Sequence, residues 1–183
     1  SLLQFGFAPI WGRLSDRVGR RPIIFGSLVV TAGSYLMFAL STSLPVLFAS
    51  RILAGIAGGV IPTTQAYIAD TTTPAERTKG MGMIGAAFGL GFIFGPAIGG
   101  LLSRYGYAAP AYVACGLSLL AAASAYFVLP ESLPREARAQ AIASRRAAPT
   151  LLAAVGRPIV GLVLVLFFLG TLAFSILEGT FAL

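Results

Sequence analysis

The stretch GMGMIGAAFGLGFIFGPAIGGLL at 80–102 contains no charged side chain. A helix needs about 20 mostly apolar residues to cross a bilayer, and this run has that length. Comparable runs cover roughly 1–11 (partial), 22–40, 45–69, 108–129 and 158–183. The pattern predicts an all-α, polytopic membrane protein. Composition points the same way, with 10% charged residues where a soluble domain carries about 25%.

Net charge is +7, which in a soluble chain would suggest nucleic acid. Here the cations sit in short loops between apolar runs, so no nucleic-acid partner is expected. The loops at 12–21, 70–79 and 130–157 hold Arg13, Arg17, Arg20, Arg21, Arg77, Lys79, Arg135, Arg138, Arg145, Arg146 and Arg157. The intervening loops at 41–44 and 103–107 hold only Arg104. Every alternate loop is basic, and the positive-inside rule assigns those three to the cytoplasm. Three domains are expected: a transmembrane bundle at 1–130, a central cytoplasmic loop at 131–157, and a further spanning helix at 158–183. ESLPREARAQAIASRR at 131–146 suits an amphipathic surface helix or a solvated linker, and both readings stay open.

Catalysis finds little to work with. There is no histidine, which excludes HExxH metal sites and Ser–His–Asp triads. The single cysteine, Cys115, lies in an apolar run and reads as a small core residue. GMGMIG at 80–85 fits a dinucleotide fingerprint, but the polar TTTPAERTK before it is no strand. Neither an enzyme nor a resident cofactor is expected.

The loop GRLSDRVGRRP at 12–22 is more ordered than a positive-inside loop requires. Gly12 and Gly19 suit a turn that other residues resist. Pro22 suits the first turn of a following helix. Asp16 can serve a helix N-terminus or pair with a guanidinium.

In the segment 80–102, Gly82, Gly91, Gly95, Gly99 and Gly100 accompany Pro96, with further glycines at 85 and 89. Each costs a helix about 1 kcal/mol relative to alanine, and what it offers is close approach of a neighbouring helix. Pro96 predicts a bend through a clash with the Phe92 carbonyl. A plain helix–helix seam is the alternative. In SRILAGIAGG at 50–59, Arg51 is the one cation inside an apolar run, and intramembrane charges are usually functional. It lies about six residues, ~9 Å, from its helix end, so it could also snorkel to the outer interface.

Together these segments resemble the major facilitator superfamily, and more narrowly its proton-coupled drug exporters of the tetracycline-resistance and multidrug branch. GRLSDRVGRRP is similar to the loop between the second and third helices. SRILAGIAGG is similar to the fourth-helix motif, and 82–100 to the fifth-helix antiporter motif. The resemblance implies helices two to seven of a twelve-helix bundle, with both chain ends truncated. It also implies a conformational latch formed by Gly12, Asp16, Gly19, Arg20, Arg21 and Asp70, favouring the outward-facing state. Arg51 is then implicated in proton coupling, and the bend at Pro96 in closing the cavity.

The expected protein is a monomer in the inner or plasma membrane. It would export drugs or other small molecules by alternating access, with the proton gradient as energy source. A metabolite or sugar symporter and a non-transporting scaffold are the alternatives. Gln65, Tyr35 and Tyr126 are polar groups within spans, of which Gln65 is the candidate for lining the substrate path. Tyr105, Tyr107 and Tyr112 read as interface anchors. Glu178 lies 21 residues after Arg157, or ~32 Å of helix, which places it near the outer surface and outside the coupling set.

Overall fold

The structure is a computed structural model. It describes residues 2–134, 136–139, 142–143, 161–162, 165–166, 168–170 and 172. Glu178, Arg135, Arg145, Arg146 and Arg157 lie outside the described residues. The chain divides into two units, Ser1–Ile142 and Ala143–Leu183. The described residues of the second are helical.

The first unit is built from six helices: α1 Leu2–Val18, α2 Arg20–Ala39, α3 Leu44–Gly58, α4 Ile61–Thr71, α5 Pro74–Ser103 and α6 Ala109–Val128. Four stretches among the described residues are long and apolar enough to cross a membrane: α2, α3 with α4, α5 and α6. Three expectations need correction. Residues 12–18 are not a loop: α1 continues through them, and Gly19 alone separates it from α2. Residues 70–79 shrink likewise to Thr72 and Thr73. The apolar run marks where a helix leaves hydrocarbon, whereas the helix ends only where backbone hydrogen bonding is interrupted. Thr73 and Glu76 restart it with capping-box spacing, closed side chain to side chain at 2.8 Å.

The span expected at 45–69 is also two helices, broken at Gly59 and Val60. Pro62 lies in the first turn of the second.

Helix packing follows membrane rules. α2 packs chiefly on α6 and α3, and apart from Arg20 and Ile23 the buried positions there are small: Ser27, Ala32 and Ser34 of α2, Ser50 and Ala57 of α3, Ala111, Cys115, Ala122 and Ala125 of α6. Small side chains let backbones approach closely where lipid supplies no hydrophobic drive. The buried serines satisfy their hydroxyls on their own helix: Ser27 donates to the Ile24 carbonyl (2.8 Å), Ser34 to Thr31 (2.7 Å) and Ser50 to Leu47 (2.6 Å). Large apolar side chains such as Leu120, Phe92 and Ile93 point outward. Cys115 is buried, as a small core residue should be.

This packing brings alternate turns together. The α1–α2 turn, the end of α4 and the stretch after α6 meet at one end of the unit. The end of α2 meets the α5–α6 turn through Phe38 and Tyr107.

Candidate functional site

Everything at the first of these ends turns on Gly19. Its backbone has φ +117° and ψ 161°, a region essentially reserved for glycine. The sharp turn sets Arg20 back across the end of α1. Its Nη1 donates to Asp16 Oδ1 at 2.6 Å and to Ser15 Oγ at 2.7 Å, and its Nε donates to Asp70 Oδ2 at 3.1 Å. Ser15 in turn donates to the Gly12 carbonyl at 2.9 Å. The side chains of Arg20 and Asp16 are 8% and 7% exposed, that of Asp70 28%. A guanidinium buried this deeply requires its carboxylates, because losing one partner leaves an uncompensated charge.

The structure thus brings together Gly12, Asp16, Gly19, Arg20 and Asp70. Gly12, however, does not make a turn. It lies inside α1 and contributes its carbonyl, because the helix continues to Val18. Arg21 points elsewhere: it donates to the Tyr126 carbonyl, and its guanidinium lies 5.5 Å from the Tyr126 ring centre. Tyr126 therefore fastens α6 to the start of α2.

One functional group escapes a reading of the sequence. Glu131, just past α6, accepts the Arg20 N–H at 2.8 Å and the Leu133 N–H at 3.1 Å through Oε1. A helix N-terminus presents unpaired donors and partial positive charge, yet α2 opens with no acidic residue in its first turn. That missing local cap is the signal the sequence offers. Arg138 closes the arrangement, donating to the Leu133 carbonyl (3.2 Å) and the Arg17 carbonyl (3.3 Å). The stretch 131–134 is therefore docked on the α1–α2 turn, with Leu133 buried, which removes the solvated-linker reading for those residues.

The sequence matches the Major Facilitator Superfamily over residues 1–183. The chain belongs to that superfamily. Multidrug resistance protein 2 of Bacillus subtilis is 39% identical over 76% of this chain and 35% of its own length. The class C tetracycline resistance protein of Escherichia coli is 36% identical over 92% of this chain and 43% of its own length. Among solved structures, the crystal structure of the human organic anion transporter MFSD10 (TETRAN) superposes with TM-score 0.67 at 39% identity, covering 74% of this chain and 31% of that one. The chain spans less than half the length of these relatives.

Other motif positions of this superfamily chain lie apart from the ion network. Arg51 is exposed, and its guanidinium lies 4.2 Å from the Phe38 ring centre. Phe38 in turn packs on Tyr107 at 6.0 Å. On α5, a methyl group at Gly82, Gly85, Gly89, Gly91, Gly95, Gly99 or Gly100 would meet no atom within 4 Å. The close helix approach expected of these glycines is not made among the described residues, and α5 runs through Pro96 without ending. The tightly packed α5 glycine is Gly80, where a Cβ would come within 2.6 Å of Ile68 Cγ2. Gln65 is exposed. Beside it, Thr64 joins Ile84, Ala87, Phe88, Gly91 and Phe92 in lining an open apolar groove of about 470 Å³ between α4 and α5.

Proposed function

We propose that the whole protein is a secondary transporter that exchanges protons for drugs or other small molecules. The Asp16–Arg20–Asp70 network would be its latch. The observation that carries this reading is the buried guanidinium of Arg20, which ties α1, α2 and α4 together through two carboxylates and rests its backbone on Glu131. A closed network of this kind stabilises one arrangement of helix ends. It must loosen if access is to alternate about a site between two bundles.

Two of the relatives are resistance proteins, which supports export of drugs. The apolar groove bearing Thr64 and Gly91 suits one wall of a path for lipophilic compounds, and Gln65 flanks it. Arg51 is assigned to coupling, and the basic stretches 12–21, 70–79 and 130–157 to the cytoplasmic side of the inner or plasma membrane. The protein would act as a monomer in the bilayer, with the proton gradient and no cofactor. A second reading, export of organic anions, is favoured by the structural relative, itself an organic anion transporter.

The test uses the full-length protein in inverted vesicles energised to an acid interior and followed with a pH dye. Tetracyclines, lipophilic cations and organic anions are added in turn. Substrate-triggered proton escape that is abolished by Arg51→Ala, and slowed by Asp16→Asn at equal expression, is expected. No escape with any compound would sink the exchange reading. Normal exchange by Asp16→Asn would remove the latch.

A further inference from the structure

The span Leu44–Thr71 is broken in a way that leaves specific backbone groups short of partners. In a continuous helix the N–H of residue 62 would bond the carbonyl of Gly58, four residues back. Residue 62 is proline and has no N–H to give. Just upstream, the bonds tighten to a three-residue spacing, Gly59 N–H to the Ile56 carbonyl and Val60 N–H to the Ala57 carbonyl, both at 3.3 Å.

Donors from α1 reach the break: one fills the gap at Gly58, and the other adds to the Ile56 carbonyl that Gly59 already bonds. Gln4 Nε2 donates to the Gly58 carbonyl at 3.0 Å, and Trp11 Nε1 donates to the Ile56 carbonyl at 2.6 Å. The glycines of the motif make room for them. A Cβ at Gly59 would lie 2.9 Å from Trp11 Cδ1 and 3.0 Å from the Ala8 nitrogen, and one at Gly58 would lie 3.2 Å from Gln4 Cδ. One turn further on, Thr63 is fully buried and its hydroxyl has no hydrogen-bond partner among the described residues.

We infer that Gln4 and Trp11 are positioning residues that set the bend between α3 and α4, and that release of their two hydrogen bonds accompanies the change of access. This rests on the transport reading above. Three observations carry it. Pro62 prevents the break from healing into a regular helix, so side-chain donors decide its angle. Both donors come from α1, the helix that carries Asp16 in its last turn, so opening the ion network and releasing the bend are movements of one rigid element. The buried Thr63 hydroxyl, without a hydrogen-bond partner among the described residues, is available to a carbonyl that the change would free. Arg51 lies on the arm that the bend swings, seven residues or ~10 Å before Gly58.

The test uses full-length protein in liposomes, with spin labels at positions 44 and 71 in a background free of other cysteines. Trp11→Phe and Gln4→Met keep bulk and remove the donors. Both are expected to shift the distribution of label distances and to slow transport about tenfold, equivalent to ~1.4 kcal/mol in the barrier, with little change in unfolding temperature. The decisive variant adds Pro62→Ala to Gln4→Met, restoring the N–H that Gly58 lacks. It should recover any lost stability while transport stays slow. Recovery of both stability and transport would reduce Gln4 to a structural prop and overturn the inference. So would an unchanged distance distribution in Trp11→Phe. Should the wild type move no compound, the transport reading falls, while the label distances still decide the bend.

Discussion

Gly19 and Gly95 both lie in stretches that resemble superfamily motifs, yet an added methyl group would meet opposite surroundings. At Gly19 it would overlap the Glu131 carboxylate, coming 2.8 Å from its carbon and 2.9 Å from Arg138 Nη2, on a backbone at φ +117°. At Gly95 it would meet nothing within 4 Å, on an ordinary helix. The first glycine is explained by contacts inside this chain. The second, with its neighbours along α5, has no explanation among the described residues, and a helix with so many glycines is intrinsically weaker for it. The difference separates a motif packed within the bundle from one that meets no neighbour among the described residues.

The harshest way to break the first half of the comparison is Arg20→Ala. It strands two carboxylates and removes the guanidinium that joins three helices. Loss of one member of such a buried group costs about 3–5 kcal/mol, which should appear as a large fall in the unfolding midpoint in detergent. A fall too small to measure would mean that the network is not closed in solution. Gly19→Ala should follow at about 1–3 kcal/mol from backbone strain. Pairing it with Glu131→Ala separates strain from collision: if collision adds to strain, the double variant loses less than the sum of the singles.

Glu131 itself sharpens the point. Glu131→Gln keeps the shape and loses the charge at the start of α2. A charge-assisted bond of this kind contributes about 1.5–3 kcal/mol, so the glutamine variant should retain part of that and Glu131→Ala almost none. Equal midpoints for the two would show that the carboxylate charge is irrelevant to capping.

Much of this architecture is legible in the residues, and the failures have physical causes. The runs at 22–40 and 108–129 correspond to α2 and α6 almost to the residue, because length and hydropathy report the bilayer directly. Hydropathy draws the turns too long, since charged residues such as Arg13 and Asp16 are compatible with helix and only Gly19 stops it. Gly58–Gly59 and Pro62 are visible, but the break they cause is submerged in one apolar run. Asp16, Arg20 and Asp70 are grouped by resemblance, and the structure puts them within hydrogen-bond reach. Glu131 stays hidden because a cap supplied from 111 residues away leaves no local pattern.

The second half of the comparison makes a prediction of opposite sign. Gly95→Ala should stabilise this chain by about 0.5–1 kcal/mol, because the helix gains propensity and no neighbour is displaced. In the full-length protein the same substitution should slow transport if the α5 face is packed there. Loss of stability in the short chain would mean that α5 is already docked, and the contrast with Gly19 would collapse.

The smallest effect concerns Arg51. An exposed arginine over an aromatic face gains about 0.5–1 kcal/mol, so Phe38→Leu should shift the midpoint only slightly, and Phe38→Trp should restore it. The stack with Tyr107 also ties this arginine to the α5–α6 turn, at the end of the unit opposite Arg20. Proton exchange therefore gives the sharper readout. If Phe38 merely shelters a snorkelling arginine, Phe38→Leu leaves the exchange rate and its dependence on pH unchanged. If Arg51 must leave the ring during each cycle, weakening the stack changes that pH dependence while Phe38→Trp, which holds the cation more tightly, slows exchange. Opposite responses of the two variants would connect the motif on α3 to turnover, and identical ones would return Arg51 to the membrane interface.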